Sequence, residues 1–268
     1  MMIEFKRIKT TVLFPDKIYI EWAVTNPALN SDYFYNIYMR DSSEFPDFKK
    51  VNVAPLLNQY HYIISKLTLN KFPNIEFYIE GQTSQYKFKS RTFNLLYGLD
   101  KRQYLIAVEI ARKNELTRKI HNGVECSIYK RMTTGVPCDC KDKVTGLVIK
   151  SNCSKCYGTG YIGGYIGPLG PVWVEIYHNG YQLQPTEVGN IDQIVGQARI
   201  SRPLVEIGDI LLEHTRNYRW YIKSIQYITY RTFPVDQIVE IRMISPKDIE
   251  YNLKGIIGYG VFERNRKK

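Results

Sequence analysis

No stretch of this chain stays apolar for the ~18 residues that a membrane-spanning helix requires. The longest uncharged run, Tyr157 to Val174, holds six glycines and two prolines, and lipid could not satisfy the backbone of such a segment. It reads as a loop, and no contact with a membrane is expected. The first residues, MMIEFKRIKTT, carry charge where a secretory signal needs an apolar core, so the protein is expected to be made and kept in the cytoplasm. Internal repeats and low-complexity segments are lacking. So are a phosphate-binding loop and a serine elbow, and the four histidines, His61, His121, His178 and His214, fall in separate elements with no motif around them. Catalysis is not expected.

Acidic residues are in deficit, 26 against 37 basic ones, for a net charge of +11. Such an excess brings nucleic acid into consideration as a partner. The excess is spread along the chain, with two local concentrations: Lys101, Arg102, Arg112, Lys113, Arg118 and Lys119 in one segment, and Arg264, Arg266, Lys267 and Lys268 at the end. Without a recognition motif, runs like these are ordinarily solvated faces.

With 268 residues, 44% of them hydrophobic, the chain has material for about two folded domains. Residues 1–94 break into short strand-like segments with turn residues at Asn26-Pro27, Asp41-Ser42 and Pro73-Asn74. Ile18, Ile20, Trp22 and Val24 alternate with Tyr19 and Glu21, the pattern of a half-buried sheet. A β-sandwich is the economical reading. Residues 95–136 change period: Leu105, Val108 and Arg112, with Ile106 and Ile110, then Leu116 and Ile120, fit a helical stripe. Asp100 and Gln103 make its N-terminal cap and Asn122-Gly123 its stop. This is a linking helix and connector. Strands return over 171–268, with turns at Asn179-Gly180, Gly208-Asp209 and Asn217, as a small barrel-like β domain with a basic tail. The expected class is therefore mainly β with one linking helix.

Cysteine is scarce, yet four of the five fall between Cys138 and Cys156. In a reducing compartment that clustering points to a metal before disulfides. Two close pairs, Cys138/Cys140 and Cys153/Cys156, can supply the four soft corners of a tetrahedral zinc site with all positions filled by protein. Residues 137–170 are thus expected to be a zinc-stapled hairpin module ending in a Gly/Pro-rich loop. A single residue between Cys138 and Cys140 makes a tight half-site, and this leaves Cys126 as a substitute ligand. Between Cys138 and Gly160 only Val144, Leu147, Val148 and Ile149 offer a core, and the glycines at 158 and 160 let backbone N–H groups approach the sulfurs. Gly158-Thr-Gly160-Tyr-Ile-Gly163 spells a dinucleotide fingerprint but follows no strand and opens no helix.

Two resemblances can be drawn. Trp22 in the second strand, the tyrosine-rich third strand (Tyr33, Tyr35, Tyr38) and LTLNKFPNIEFYIEG resemble a fibronectin type III domain, with Phe77 where that family carries its corner tyrosine. Residues 95–253, through GVECSIYKRMTTGVPCDC, CSKCYGTGYIGGYIGP, EIGDILLEHTRNYRWYIKSIQY and ISPKDIEYNL, resemble structural proteins of tailed-bacteriophage particles. That second likeness implies a virion component assembled in the host cytoplasm, most similar to a ring-forming head–tail neck or connector protein. A baseplate or tail structural protein is the neighbouring alternative, and a zinc-ribbon nucleic-acid binder the alternative of another class. The implied partners are further copies of the chain in a ring, other virion proteins and weak electrostatic contact with DNA. Twenty-two tyrosines and eleven phenylalanines, more than two small cores use, suit partly wet interfaces.

Overall fold

The structure, a computed structural model, describes residues 3–13, 17–25, 32–42, 46–65, 73–96, 98–142, 145–186 and 189–253, with the side chains of 13 and 178–193 excepted. The Asn26-Pro27 turn, Val144 and the basic tail from Arg264 lie outside these residues. The chain is mainly β with one long helix. Among the described residues no helix is long and apolar enough to cross a membrane.

The N-terminal part is a sandwich. One sheet has the order β1 (Phe5–Leu13), β2 (Lys17–Val24), β6 (His61–Ile64). The other runs β4 (Lys49–Lys50), β3 (Phe34–Asp41), β7 (Ile75–Gln82), β8 (Lys87–Lys89), with β5 (Leu56–Leu57) on β3 and β9 (Phe93–Asn94) on β7. Alternation sends Ile18, Ile20, Trp22 and Val24 into a shared core with Tyr33, Tyr35, Ile37, Phe77 and Ile79, the interdigitation of two inner faces. Phe77 stacks on Phe93 with ring centroids 5.7 Å apart. The other face of β2 is not half-open as its alternation suggests, because Tyr19 and Glu21 are also buried. Glu21 receives Arg7 at 2.9 Å and lies beside Thr133 from beyond the helix, so a second body of the protein covers that face. Tyr19, Tyr33, Tyr35, Tyr60, Tyr104, Tyr129 and Tyr165 are all buried. The cores thus absorb more of the aromatic surplus than composition suggests.

The helix α1 (Lys101–Ile120) is capped as the sequence predicts, the Gln103 backbone N–H donating to the Asp100 carboxylate at 2.8 Å. The chain leaves it through Gly123, whose N–H reaches the Arg118 carbonyl at 2.8 Å. Its period is as read but its phase is not. The buried face is Tyr104, Ala107, Val108, Ala111 and Arg118, while Leu105, Ile106, Leu116 and Ile120 are exposed. Two alanines let the helix approach its neighbours closely, and Tyr104 packs edge-on against Phe233 at 5.5 Å. The helix thereby extends the sandwich core toward the C-terminal domain.

That domain is a closed six-stranded barrel in the order β10 (Val124–Arg131), β11 (Tyr165–Thr186), β12 (Gly189–Ile200), β15 (Phe233–Met243), β14 (Arg219–Tyr230), β13 (Ile210–Glu213). Its boundaries differ from the sequence reading. The first strand comes from the presumed connector, and the second begins inside the Gly/Pro-rich stretch, because β10 must pair with both β11 and β13 to close the barrel. Glycine and proline are tolerated there since β10 and β11 pair through two register shifts, as bulged strands do. At Gly167 a Cβ would lie 2.7 Å from the Ile128 carbonyl oxygen, so no other residue fits that approach. Asn179-Gly180 does not end the strand either, since pairing skips past it and β11 continues to Thr186.

The helix meets the barrel through a buried charge cluster. Arg118 holds both carboxylate oxygens of Asp236 at 2.8 and 2.7 Å, and Arg199 adds a contact at 2.7 Å. Next to them Glu115 accepts the Trp173 N–H at 3.0 Å. Burial pushes the Glu115 carboxyl up to about 7, against the opposing pull of the Trp173 N–H and of Arg118. The folded state then holds a proton that the unfolded state releases near 4.5, so this group subtracts stability as pH rises from about 4.5 through 7. Glu115→Gln is expected to remove that dependence and to stabilise the protein at pH 8 by on the order of 2 kcal/mol, read as parallel urea melts at pH 5 and pH 8. A variant that keeps the parental pH slope contradicts the assignment.

Candidate metal centre

Residues 132–164 leave the barrel at the end of β10 and return at the start of β11, closed at the base by the Met132 N–H on the Gly164 carbonyl at 2.9 Å. The cysteine module is therefore an insertion between two neighbouring barrel strands. It does not join helix to barrel. Inside it the chain folds on itself twice, with Pro137 bridged to Tyr161 and Lys141 to Val148. The Cys138 N–H meets the Gly160 carbonyl at 3.0 Å and the Ile149 N–H meets the Cys140 carbonyl at 2.9 Å. These bonds bring the two cysteine pairs face to face.

All four sulfurs, of Cys138, Cys140, Cys153 and Cys156, lie within 4.8 Å of one another. Cys138 Sγ is 3.7 Å from Cys153 Sγ and Cys140 Sγ is 3.1 Å from Cys156 Sγ. Four sulfurs about 2.3 Å from a tetrahedral ion stand about 3.8 Å apart, so the set needs little adjustment to hold one. None of the cysteines is in a disulfide. Cys138 and Cys156 are buried and the other two partly so.

Backbone donors complete the second pair. The N–H groups of Lys155 and Cys156 point at the Cys153 sulfur and hold its thiol down at about 7, stabilising the thiolate that a metal requires. The N–H groups of Gly160 and Gly158 do the same for Cys156, although burial, the larger influence, leaves that thiol raised. Cys140 is raised chiefly by its contact with Cys156. The turn that aims these donors carries Tyr157 at φ 49° and Gly158 at φ 73°. A Cβ on Gly158 would stand 2.9 Å from the Ser151 carbonyl oxygen. The glycine was legible as a turn residue; the left-handed Tyr157 carried no such signal.

Among its described residues the module has almost no apolar interior. Leu147 and Ile149, two of the aliphatic residues that the sequence offers as its core, are 69% and 76% exposed. Val148 is half-buried. Cys126, the substitute ligand allowed by the sequence, is not in the cluster. It is fully buried in the barrel core with Ile128, Val172 and Trp220, where burial raises its thiol to about 12. Cys126→Ala is accordingly expected to keep full metal stoichiometry by elemental analysis while costing the barrel about 1–2 kcal/mol as a small cavity. Lost metal in that variant would restore Cys126 as a ligand.

Among the described side chains the histidines are not brought together. His61 rests against Tyr19 with ring centroids 6.2 Å apart, and burial depresses it to about 4. His214 Nε2 lies 2.8 Å from the Ser127 hydroxyl, a pairing unseen from sequence that ties the segment after β13 to β10. The side chain of His178 is outside the described residues. A cluster the sequence did not reveal is ionic: Lys130, buried in β10, bonds Asp209 at 2.9 Å and the Leu204 carbonyl at 3.2 Å.

No family model matches the chain, and no curated protein matches it. Among solved structures, the titin kinase with its flanking domains is similar over 90% of this chain at a TM-score of 0.25 and 8% identity. This chain covers 37% of the length of that one. A likeness at that level carries no argument.

Proposed function

We propose that this protein is a non-enzymatic structural component of a tailed-bacteriophage particle, assembled as a ring at the head–tail neck, and that its cysteine module is a structural zinc site. The carrying observation is the arrangement of four cysteines in an insertion that interrupts a closed barrel just before its Gly/Tyr-rich strand. This is the part of the chain on which the likeness to such proteins rests. Four thiolates with no protein position left open favour zinc in a structural role. The sandwich pairs a three-stranded sheet with a six-stranded one whose main path is four strands, β5 and β9 being two-residue additions, an order in keeping with the fibronectin type III likeness and suited to decoration or docking.

Localisation in a reconstructed particle tests this reading and separates the neck from a baseplate or tail position, the nearest alternative. Protein that is strictly monomeric at high concentration and never found in particles is incompatible with it. Elemental analysis of natively purified protein is expected to return one zinc per chain. The zinc-ribbon nucleic-acid reading finds less support in the module, where Lys155 faces Asp139 at 3.3 Å and Lys141 donates to the Tyr161 hydroxyl at 3.0 Å. A steep loss of duplex affinity with salt, carried by module lysines, would favour it.

A further inference from the structure

The second and third barrel strands run on past the barrel. β10 stops pairing with β11 at Val174, and β15 stops pairing with β12 at Val195. Beyond these points, among the described residues, the two strands pair only with each other, from Tyr181 opposite Ile194 to Thr186 opposite Gly189. Six such pairs make an arm about 20 Å long. A two-stranded hairpin without a third neighbour is marginal in water, so an arm of this length calls for something to lie on.

Its charge says what. From Pro171 to Ala198 the sequence contains acidic residues, Asp192 within the paired arm among them, and no lysine or arginine, in a chain of net charge +11. The opposite character is found on the outer face of α1. Leu105, Ile106, Leu116 and Ile120 are 40%, 41%, 45% and 65% exposed there, interleaved with the exposed cations Lys101, Arg102, Arg112 and Lys113. Of these Arg112 is bonded to Glu109 at 2.9 Å. Four large aliphatic side chains among cations on one helix face are more than a solvated face needs. At 20 residues the helix is about 30 Å long, enough to seat the arm.

We infer that the β11–β12 arm of one copy lies across the outer face of α1 in the next copy. The helix meets β11 through Glu115 and Trp173 on its inner side, and the outer face is turned away from that root, so a neighbouring molecule supplies the arm. Arm and helix face are different surfaces, and a contact between them is heterologous; repeated around an axis it closes a ring. This rests on the ring reading given above and adds to it the two surfaces that meet.

The test uses full-length protein carrying its metal. Deleting Gln182–Gln193 and joining Tyr181 to Ile194 through Asn-Gly, the two residues a tight hairpin turn prefers, keeps Ile194 against the barrel core and Val195 paired with β15. This variant is expected to keep metal content and melting temperature but to sediment as a monomer where the parent sediments as a ring. Leu116→Glu with Ile120→Glu should do the same from the other side. Mixed, the two variants are expected to give heterodimers and no rings, since each supplies one competent surface. Rings that persist after the deletion overturn this contact and leave the ring reading standing. A parent that is monomeric at every concentration overturns both. Duplex DNA binding abolished by Arg112→Glu with Lys113→Glu, with rings intact, assigns the helix face to nucleic acid and overturns the inference.

Discussion

On the zinc reading proposed above, treating natively purified protein with a strong chelator is expected to unfold residues 132–164 while the barrel and the sandwich keep their protection. The reason lies in what the module lacks. Of its aliphatic side chains, Val136, Leu147, Ile149 and Ile162 are exposed, so its order rests on turns, a few cross-chain hydrogen bonds and the four sulfurs. Metal binding supplies on the order of 10 kcal/mol to modules of this kind, well beyond what the half-burial of Val148 contributes at ~25 cal/mol per Å². The barrel survives because Cys126, Ile128, Val172, Trp220 and Ile241 form a core in which no described module residue takes part. A long loop between adjacent strands is also tolerated, each doubling of its length costing about 0.6 kcal/mol. Local losses are expected where the module touches its surroundings: Tyr157 leaves the cluster of Tyr129, Tyr165 and Leu253, and Thr133 leaves Arg7. Cys153→Ser and Cys156→Ser should reproduce the effect. Hydrogen exchange read by mass spectrometry distinguishes the outcomes, and unchanged protection over 132–164 after complete metal removal refutes the idea.

The cysteine quartet was legible because its chemistry is local, two close pairs separated by a stretch short enough to fold back. The helix was legible in period and ends, not in phase. Sequence reasoning sends Leu105, Leu116 and Ile120 inward on hydrophobicity, whereas Ala107 and Ala111 are what let α1 rest against its neighbours. Local pattern shows the barrel's strands without the first, since β10 lies on the far side of the cysteine insertion from both of its partners, and closure pairs Cys126 with Glu213. No local pattern encodes a pairing over that separation. Alternation reports two faces and cannot say that both are covered, so it leaves Tyr19 and Glu21 on an open one.

Lys130 and Asp209 show the same limit, since a charge in a strand reads as a solvent-facing residue until the fold surrounds it. Substituting either alone is expected to cost about 3–5 kcal/mol, the penalty of leaving one buried charge without its partner. Both side chains are essentially inaccessible, 1% and 0% exposed. Asp209 accepts from the Lys130 ammonium at 2.9 Å and from the backbone N–H groups of Arg131 at 2.8 Å and Glu206 at 2.7 Å. Burial alone would depress Lys130, but Asp209 and Glu206 beside it more than offset that and hold its ammonium charged above the usual lysine range. Glu206 in turn bonds Lys9 of the first sandwich strand, so the cluster fastens sandwich to barrel at the root of the cysteine module. Asp209→Asn keeps one acceptor for the two N–H donors but strands the ammonium, and should lower the urea midpoint sharply. Lys130→Met strands the carboxylate instead. The double variant removes both charges at once, and its loss is expected to fall well short of the sum of the two single losses, because desolvation of an unpaired ion is what each single change pays. The coupling should be nearly independent of salt, since ions do not penetrate to screen a buried pair. Losses that simply add, or that fade in high salt, would place the pair at a hydrated surface and contradict the fold at this seam.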